Sequence, residues 1–194
     1  DYKNPNVTKV VVDRDGYAFE LLDGVTLPFE DAGFDIVLSN HVIEHVGDHS
    51  AQQRHLDEVV RVLRPGGLVY VAVPYRWRLV ENHYRLPFLS WLPATLGDRY
   101  VRLTGRAPRY DCRLLTRREL VRMLQRAGAT ARDATDQLID ATIALERGPT
   151  ARALRIPGVR RLVTGPALPT IVAIGRTPAT GMAPESRPRP DARR

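Results

Sequence analysis

The chain has 194 residues, 43% hydrophobic and 26% charged, with a formal net charge of +7, enough apolar content for one globular domain with its own core. No apolar run approaches the roughly 20 residues of a membrane span. The N-terminal stretch lacks the basic start and apolar core of a signal peptide, and a single cysteine, Cys112, excludes an internal disulfide. The positive charge does not argue for a phosphate-binding face: lysine occurs only at Lys3 and Lys9, and several of the arginines lie in a proline-rich C-terminal stretch where they would be solvated.

In chain order, Val7 to Val12 and Phe19 to Leu22 read as strands separated by Asp13-Arg14-Asp15-Gly16, whose Asp-Gly pair is a hairpin signal. A parallel crossover needs about a dozen residues or more. So these runs form an antiparallel hairpin, or only one of them joins the main sheet. Asp23-Gly24 and Glu30-Asp31-Ala32-Gly33 are polar turns. Phe34 to Leu38 is a short, nearly unbroken apolar run, the pattern of a strand covered on both faces. Ser39-Asn40 ends it, and His41 to Val46 turns the chain into a helical segment.

Leu56, Val59, Val60 and Leu63 recur at helical spacing, with Asp48 or Ser50 able to cap the helix start and Arg64-Pro65-Gly66-Gly67 to end it. Leu68 to Val73 follows as a buried strand, which makes a βαβ unit and a parallel sheet. Pro74 to Pro93 is loop-like and crowded with Tyr75, Trp77, His83, Tyr84, Phe88 and Trp91; aromatic groups of this kind cover a sheet or line a ligand pocket. Thr116-Arg117-Arg118-Glu119 is a capping box for a helix whose apolar stripe is Leu120, Met123, Leu124 and Ala127, with Gly128 as its C-terminal cap. Ala129 to Thr135 is expected as a strand, Ile139 to Leu145 as a short helix or strand, and Pro169 to Arg176 as the final strand. Ala151 to Leu168 is a basic amphipathic stretch broken by Pro157-Gly158, read as a surface helix plus turn, with peripheral membrane contact as the alternative. From Thr177 onward the composition is that of a disordered tail.

Leu27-Pro28-Phe29, Phe34-Asp35-Ile36-Val37, Asn40-His41-Val42-Ile43-Glu44-His45-Val46 and Leu63-Arg64-Pro65-Gly66-Gly67, in this order and spacing, resemble the class I S-adenosylmethionine-dependent methyltransferases. The resemblance is good over roughly residues 17 to 92 and loose elsewhere. It implies an α/β fold: a doubly wound, Rossmann-like, mostly parallel sheet with an antiparallel last strand. The family's glycine-rich loop after its first strand has no counterpart here. The expectation is therefore a chain lacking that first strand and helix, a fragment that alone binds the cofactor poorly; a relative without the loop is the alternative. Residues 1–176 would form the partial methyltransferase domain, 75–110 a substrate lid and 177–194 the tail.

Carried over residue by residue, the resemblance implies S-adenosylmethionine as cofactor. Asp23 would take the adenine contact, Gly24 would let the backbone approach the ring, and Asn40, His41 and Val42 would flank the cofactor at the strand end. Asp1 and Asp13 compete for the ribose hydroxyls. Strand ends of this kind are where open α/β sheets bind ligands. A general base speeds methyl transfer wherever the nucleophile must lose a proton, and His41 and His83 are the candidates. His45 and Glu44 are read as packing and orienting groups, Cys112 as a plain structural cysteine, and no histidine–carboxylate spacing suggests a metal. The expected acceptor is a small molecule, a sugar or a lipid-linked compound, in a cytoplasmic protein of undetermined oligomeric state, with nucleic acid an unlikely partner. The alternatives are a non-catalytic binding module of the same fold, an RNA methyltransferase, and another doubly wound enzyme such as a nicotinamide-dependent oxidoreductase.

Overall fold

A computed structural model describes residues 11–12, 18–19, 22, 24–146, 148–165 and 168–179. Strands β1 (Val11–Val12) and β2 (Ala18–Phe19) pair antiparallel in a two-stranded sheet of their own. The hairpin alternative is therefore the one adopted. The rest is organised on β3 (Phe34–Asn40), α1 (His49–Arg61), β4 (Leu63–Pro74), α2 (Ala94–Leu103), α3 (Arg117–Arg126), β5 (Thr130–Asp133), α4 (Thr135–Leu145), α5 (Pro149–Leu154), α6 (Pro157–Thr164) and β6 (Thr170–Arg176).

The main sheet has the order β3-β4-β6-β5. β3 and β4 are parallel, and β6 runs antiparallel to both β4 and β5. Three strands thus share one direction and the last strand opposes them, as the sequence led one to expect. α1 begins at Asp48, whose carboxylate accepts the Ala51 backbone N–H at 2.8 Å. Four residues, Arg64 to Gly67, loop out of the β3–β4 ladder between the pairs Phe34↔Leu63 and Ile36↔Leu68, with Gly66 in the left-handed region at φ 77°. The capping box predicted at Thr116 is present in full, and Gly128 follows α3 at φ 104°.

The core lies between the sheet and the helices α1 and α3. Val69, Val71, Val73, Ile171 and Ala173 meet Leu56, Val59, Leu120, Met123 and Leu124, all buried. On the other face a smaller cluster joins Ala72, Ala134 and Val172, with Tyr70 and Ile174 against it.

Several expectations need correction. β3 is not covered on both faces: among the described residues it is the edge of its sheet, with Ile36 56% and Leu38 70% exposed. Its side chains alternate, so Val37 and Ser39 turn toward the core while Ile36 and Leu38 point away from it. The segment after β4 is not plain loop. Between Pro74 and Pro93 it contains a bridge between Val80 and Pro87 and a 3-10 turn at Leu89–Trp91, and α2 follows directly. The basic stretch forms two short helices, α5 and α6, and α4 settles the helix-or-strand choice in favour of helix. Thr177, read as the start of the tail, is buried; its N–H donates to the Gly67 carbonyl at 3.0 Å and its hydroxyl to the Arg64 carbonyl at 2.6 Å.

Candidate functional site

β3 delivers Asn40 and His41 to the C-terminal edge of the sheet. His41 adopts the left-handed conformation at φ 55°, and its N–H donates to the Ala72 carbonyl on β4 at 2.9 Å. A non-glycine residue in this region carries backbone strain, and it turns the chain sharply into the 3-10 turn Ile43–His45. The His41 ring sits between two groups: Nδ1 lies 3.4 Å from Glu44 Oε1 and Nε2 lies 3.4 Å from the Thr170 hydroxyl. Asn40, His41 and Val42 are all exposed. The structure therefore presents this predicted trio at one open strand end.

Glu44 is fully buried, and neither of its carboxylate oxygens has a hydrogen-bond partner among the described residues. Its Oε1 faces His45 Nε2 at 4.0 Å as well as His41. The His45 ring stands edge-on to that of His83, centroids 4.8 Å apart. His83 belongs to the segment after β4. Its Nδ1 lies 2.7 Å from Oε1 of the fully buried Glu81, whose other oxygen accepts the Tyr84 N–H at 2.8 Å. An ionised carboxylate only accepts, so in the neutral imidazole this contact places the proton on Nδ1 and leaves the Nε2 lone pair free. The two base candidates thus belong to one continuous cluster, linked through Glu44 and His45.

A third segment completes it. Cys112, buried just ahead of α3, places Sγ 3.7 Å from His45 Nδ1 and 3.4 Å from Asp111 Oδ1. Tyr84 donates its hydroxyl to Asp111 at 2.5 Å. Burial alone would raise the Asp111 carboxyl, but the hydrogen bonds from Tyr84 and Cys112 outweigh it and hold the group below its ordinary value. Burial, seconded by the charges of Asp111 and Glu81, pushes the Cys112 thiol well up, so it is no free thiolate. Sequence reasoning missed this grouping. Cys112 lies 67 residues from His45, and no periodicity joins them. The polar run Glu81-Asn82-His83-Tyr84-Arg85 was the one visible hint.

Asp1, Asp13 and Asp23 lie outside the described residues. Gly24 is exposed at φ 91°, with nothing within 4 Å of where a Cβ would stand, so backbone and ligand could approach closely there. In the same segment as His83, Trp91 stacks edge-on with both Trp77 and Phe88, at 5.8 and 5.1 Å. All three rings are exposed, and Arg76 lies over Trp77 at 5.3 Å. No helix among the described residues is long and apolar enough to cross a membrane.

Residues 3–71 match the family model described as "Methyltransferase domain". Among curated proteins, the chain is 37% identical over 89 residues to a protein of Mycobacterium sp. (strain JLS) named "Uncharacterized methyltransferase", covering 45% of this chain and 34% of that protein. It is 33% identical over 85 residues to "Probable tRNA methyltransferase 9B" of Mus musculus, covering 44% and 18%. It is also 29% identical over 101 residues to an Arabidopsis thaliana tRNA (carboxymethyluridine(34)-5-O)-methyltransferase, covering 52% and 23%. The chain thus spans about a third or less of the length of these relatives. A solved S-adenosylmethionine-dependent methyltransferase from Methanosarcina mazei superposes with a TM-score of 0.49 at 18% identity, covering 84% of this chain and 68% of that one.

Proposed function

We propose that this chain, which belongs to the class I S-adenosylmethionine-dependent methyltransferases, takes part in methyl transfer to an acceptor carrying an apolar portion, a small molecule or a lipid-linked compound. The observation that carries the reading is the Asn40-His41-Val42 turn, open at the end of a parallel strand, with an imidazole seated between Glu44 and Thr170.

The family's cofactor is S-adenosylmethionine, and the described residues fit it. Val42 offers apolar surface at 42% exposure, Asn40 a polar group beside it, and Gly24 an open backbone approach. When bound, the cofactor supplies a methyl group on sulfur that leaves a neutral thioether behind. In this reading Asn40, His41 and Val42 orient the methyl-bearing end, Gly24 and Asp23 flank the adenine, and Asp1 or Asp13 takes the ribose. Positioning of this kind is worth roughly 7–11 kcal/mol of the barrier.

His41 is the base that the geometry favours. The buried Glu44 carboxylate lies 3.4 Å from its Nδ1, and the exposure of the ring leaves it able to meet an acceptor proton. His83, fixed by Glu81, is the second candidate. The exposed Trp77, Phe88 and Trp91 rings supply a surface on which an apolar acceptor can lie, which supports the reading of residues 75–110 as a substrate lid. Relatives named as tRNA methyltransferases support RNA as a second acceptor class, so the expectation that nucleic acid is an unlikely partner is not retained.

Incubation with methyl-labelled S-adenosylmethionine and a cell extract, fractionated into small molecules, lipids and RNA, tests this directly. Label in the small-molecule or lipid fraction is the expected result. Label confined to RNA would overturn the acceptor class while leaving methyl transfer intact.

A further inference from the structure

Three segments distant in sequence bring one imidazole nitrogen each from His45 and His83, and the sulfur of Cys112, within 4.8 Å of one another. Cys112 Sγ lies 3.7 Å from His45 Nδ1. Tetrahedral zinc, with bonds of about 2.0–2.1 Å to nitrogen and about 2.3 Å to sulfur, separates such a pair by roughly 3.6 Å.

The surroundings of the imidazoles are those of ligands. Glu81, fully buried, holds the Nδ1 proton of His83 at 2.7 Å and leaves Nε2 to coordinate. The far nitrogen of His45 faces the buried Glu44 at 4.0 Å. A carboxylate hydrogen-bonded to a ligating histidine, as Glu81 is to His83, fixes its tautomer and raises its basicity. Glu44 is the independent observation. Both of its oxygens are buried with no hydrogen-bond donor among the described residues, and a buried carboxylate in that condition calls for nearby positive charge.

We propose that His45, His83 and Cys112 form a binding site for a zinc-class divalent cation, a His2Cys set with its fourth position open. Two imidazoles and a thiolate favour zinc or cobalt over magnesium or calcium, which prefer oxygen ligands. On binding, the S–H bond of Cys112 breaks, the sulfur bonds to the metal and the proton passes to solvent. The His45 and His83 side chains are 39% and 33% exposed, which leaves the metal a way in. The bound ion would tie together the turn after β3, the segment after β4 and the strand-like stretch before α3. It would occupy the His83 lone pair and leave proton removal to His41. The proposal does not depend on the methyl-transfer reading.

The test is titration of the 194-residue chain, stripped with a chelator, with Co(II) followed by absorption spectroscopy. One equivalent is expected to give the visible bands of tetrahedral cobalt and a sulfur-to-cobalt charge-transfer band, both removed by adding Zn(II). Cys112→Ser should abolish the charge-transfer band and weaken binding at least tenfold. His83→Gln, at a half-exposed position, should weaken binding similarly and serves if the serine variant does not fold. His49→Gln, on α1, should bind as the parent does. Absence of the charge-transfer band in the parent chain, or equal affinity in parent and His83→Gln, would overturn the proposal.

Discussion

Gln52 on α1 donates its side-chain amide to the Arg113 carbonyl at 2.8 Å, and the same nitrogen reaches the Ile43 carbonyl at 3.1 Å. One fully buried amide thus clamps the turn carrying Glu44 and His45 to the segment carrying Cys112. The Arg113 N–H, donating to the Glu44 carbonyl at 2.9 Å, reinforces the same junction. Gln52→Leu leaves the buried Ile43 carbonyl and the part-buried Arg113 carbonyl without this donor, and a buried acceptor left unpaired costs about 1–3 kcal/mol. Urea unfolding is expected to show a loss of about 2–4 kcal/mol, against less than about 1 kcal/mol for Arg54→Ala on the exposed face of the same helix.

His41 separates a chemical role from a conformational one. Its φ of 55° suits asparagine far better than alanine. His41→Asn should keep the turn and the affinity for S-adenosylhomocysteine while lowering kcat by about 10²–10⁴-fold. His41→Ala should lose the same activity and, in addition, about 1 kcal/mol of stability. Calorimetric titration beside steady-state rates distinguishes the two. An asparagine variant with undiminished kcat would remove His41 from the chemistry.

Arg61 pins the loop before β3. Its guanidinium reaches the carbonyls of Leu27 and Phe29, each at 2.9 Å, while Glu58 and Asp31 hold its charge. The hydrogen bond to Glu58, with Asp31 beside it, raises the Arg61 pKa above its already high ordinary value, so it is charged at every working pH. Lysine cannot form this planar fork. Arg61→Lys is expected to weaken S-adenosylhomocysteine binding by about tenfold through the freed Gly24 loop, with a melting shift of only a few degrees.

His55 gives the fold a pH dependence. Burial lowers its pKa from the ordinary 6.5, with Glu58 opposing only in part. Below pH 6.5 the unfolded chain therefore binds a proton that the folded chain refuses. The stability contribution is complete above that pH and is lost as the pH falls toward the folded value. His55→Leu, filling the same buried site, should flatten the fall in unfolding free energy between pH 7 and pH 5, measured by urea titration at each pH.

Local rules made much of the fold legible. The Asp48 cap and the box at Thr116 each depend on residues within one helical turn, and both were found where the sequence put them; α1, by contrast, ends at Arg61, ahead of the expected stop at Arg64 to Gly67, and Leu63, expected in its stripe, opens β4 instead. β3 read as doubly covered because an apolar run carries no mark of its place in a sheet; Ile36 and Leu38 would spell the same letters at the centre. The site divided in the same way. Asn40 to His45 was visible as one word, whereas Cys112, Glu81 and Asp111 joined it only through long-range packing.

The position of β6 also sets the timing of assembly. Residues 170–176 lie between β4 and β5, pairing Val71 with Ala173 on one side and Asp133 with Ala173 on the other. During translation, β5 and the helix after it have no partner strand until this segment has left the ribosome. Closure of the sheet is thus deferred until residues 170–176 have been made, and its pairing with β4 joins residues about a hundred positions apart, the kind of contact that slows folding most. Until then two ladder edges stand open, and the nascent chain is at its most exposed to chaperones and to self-association.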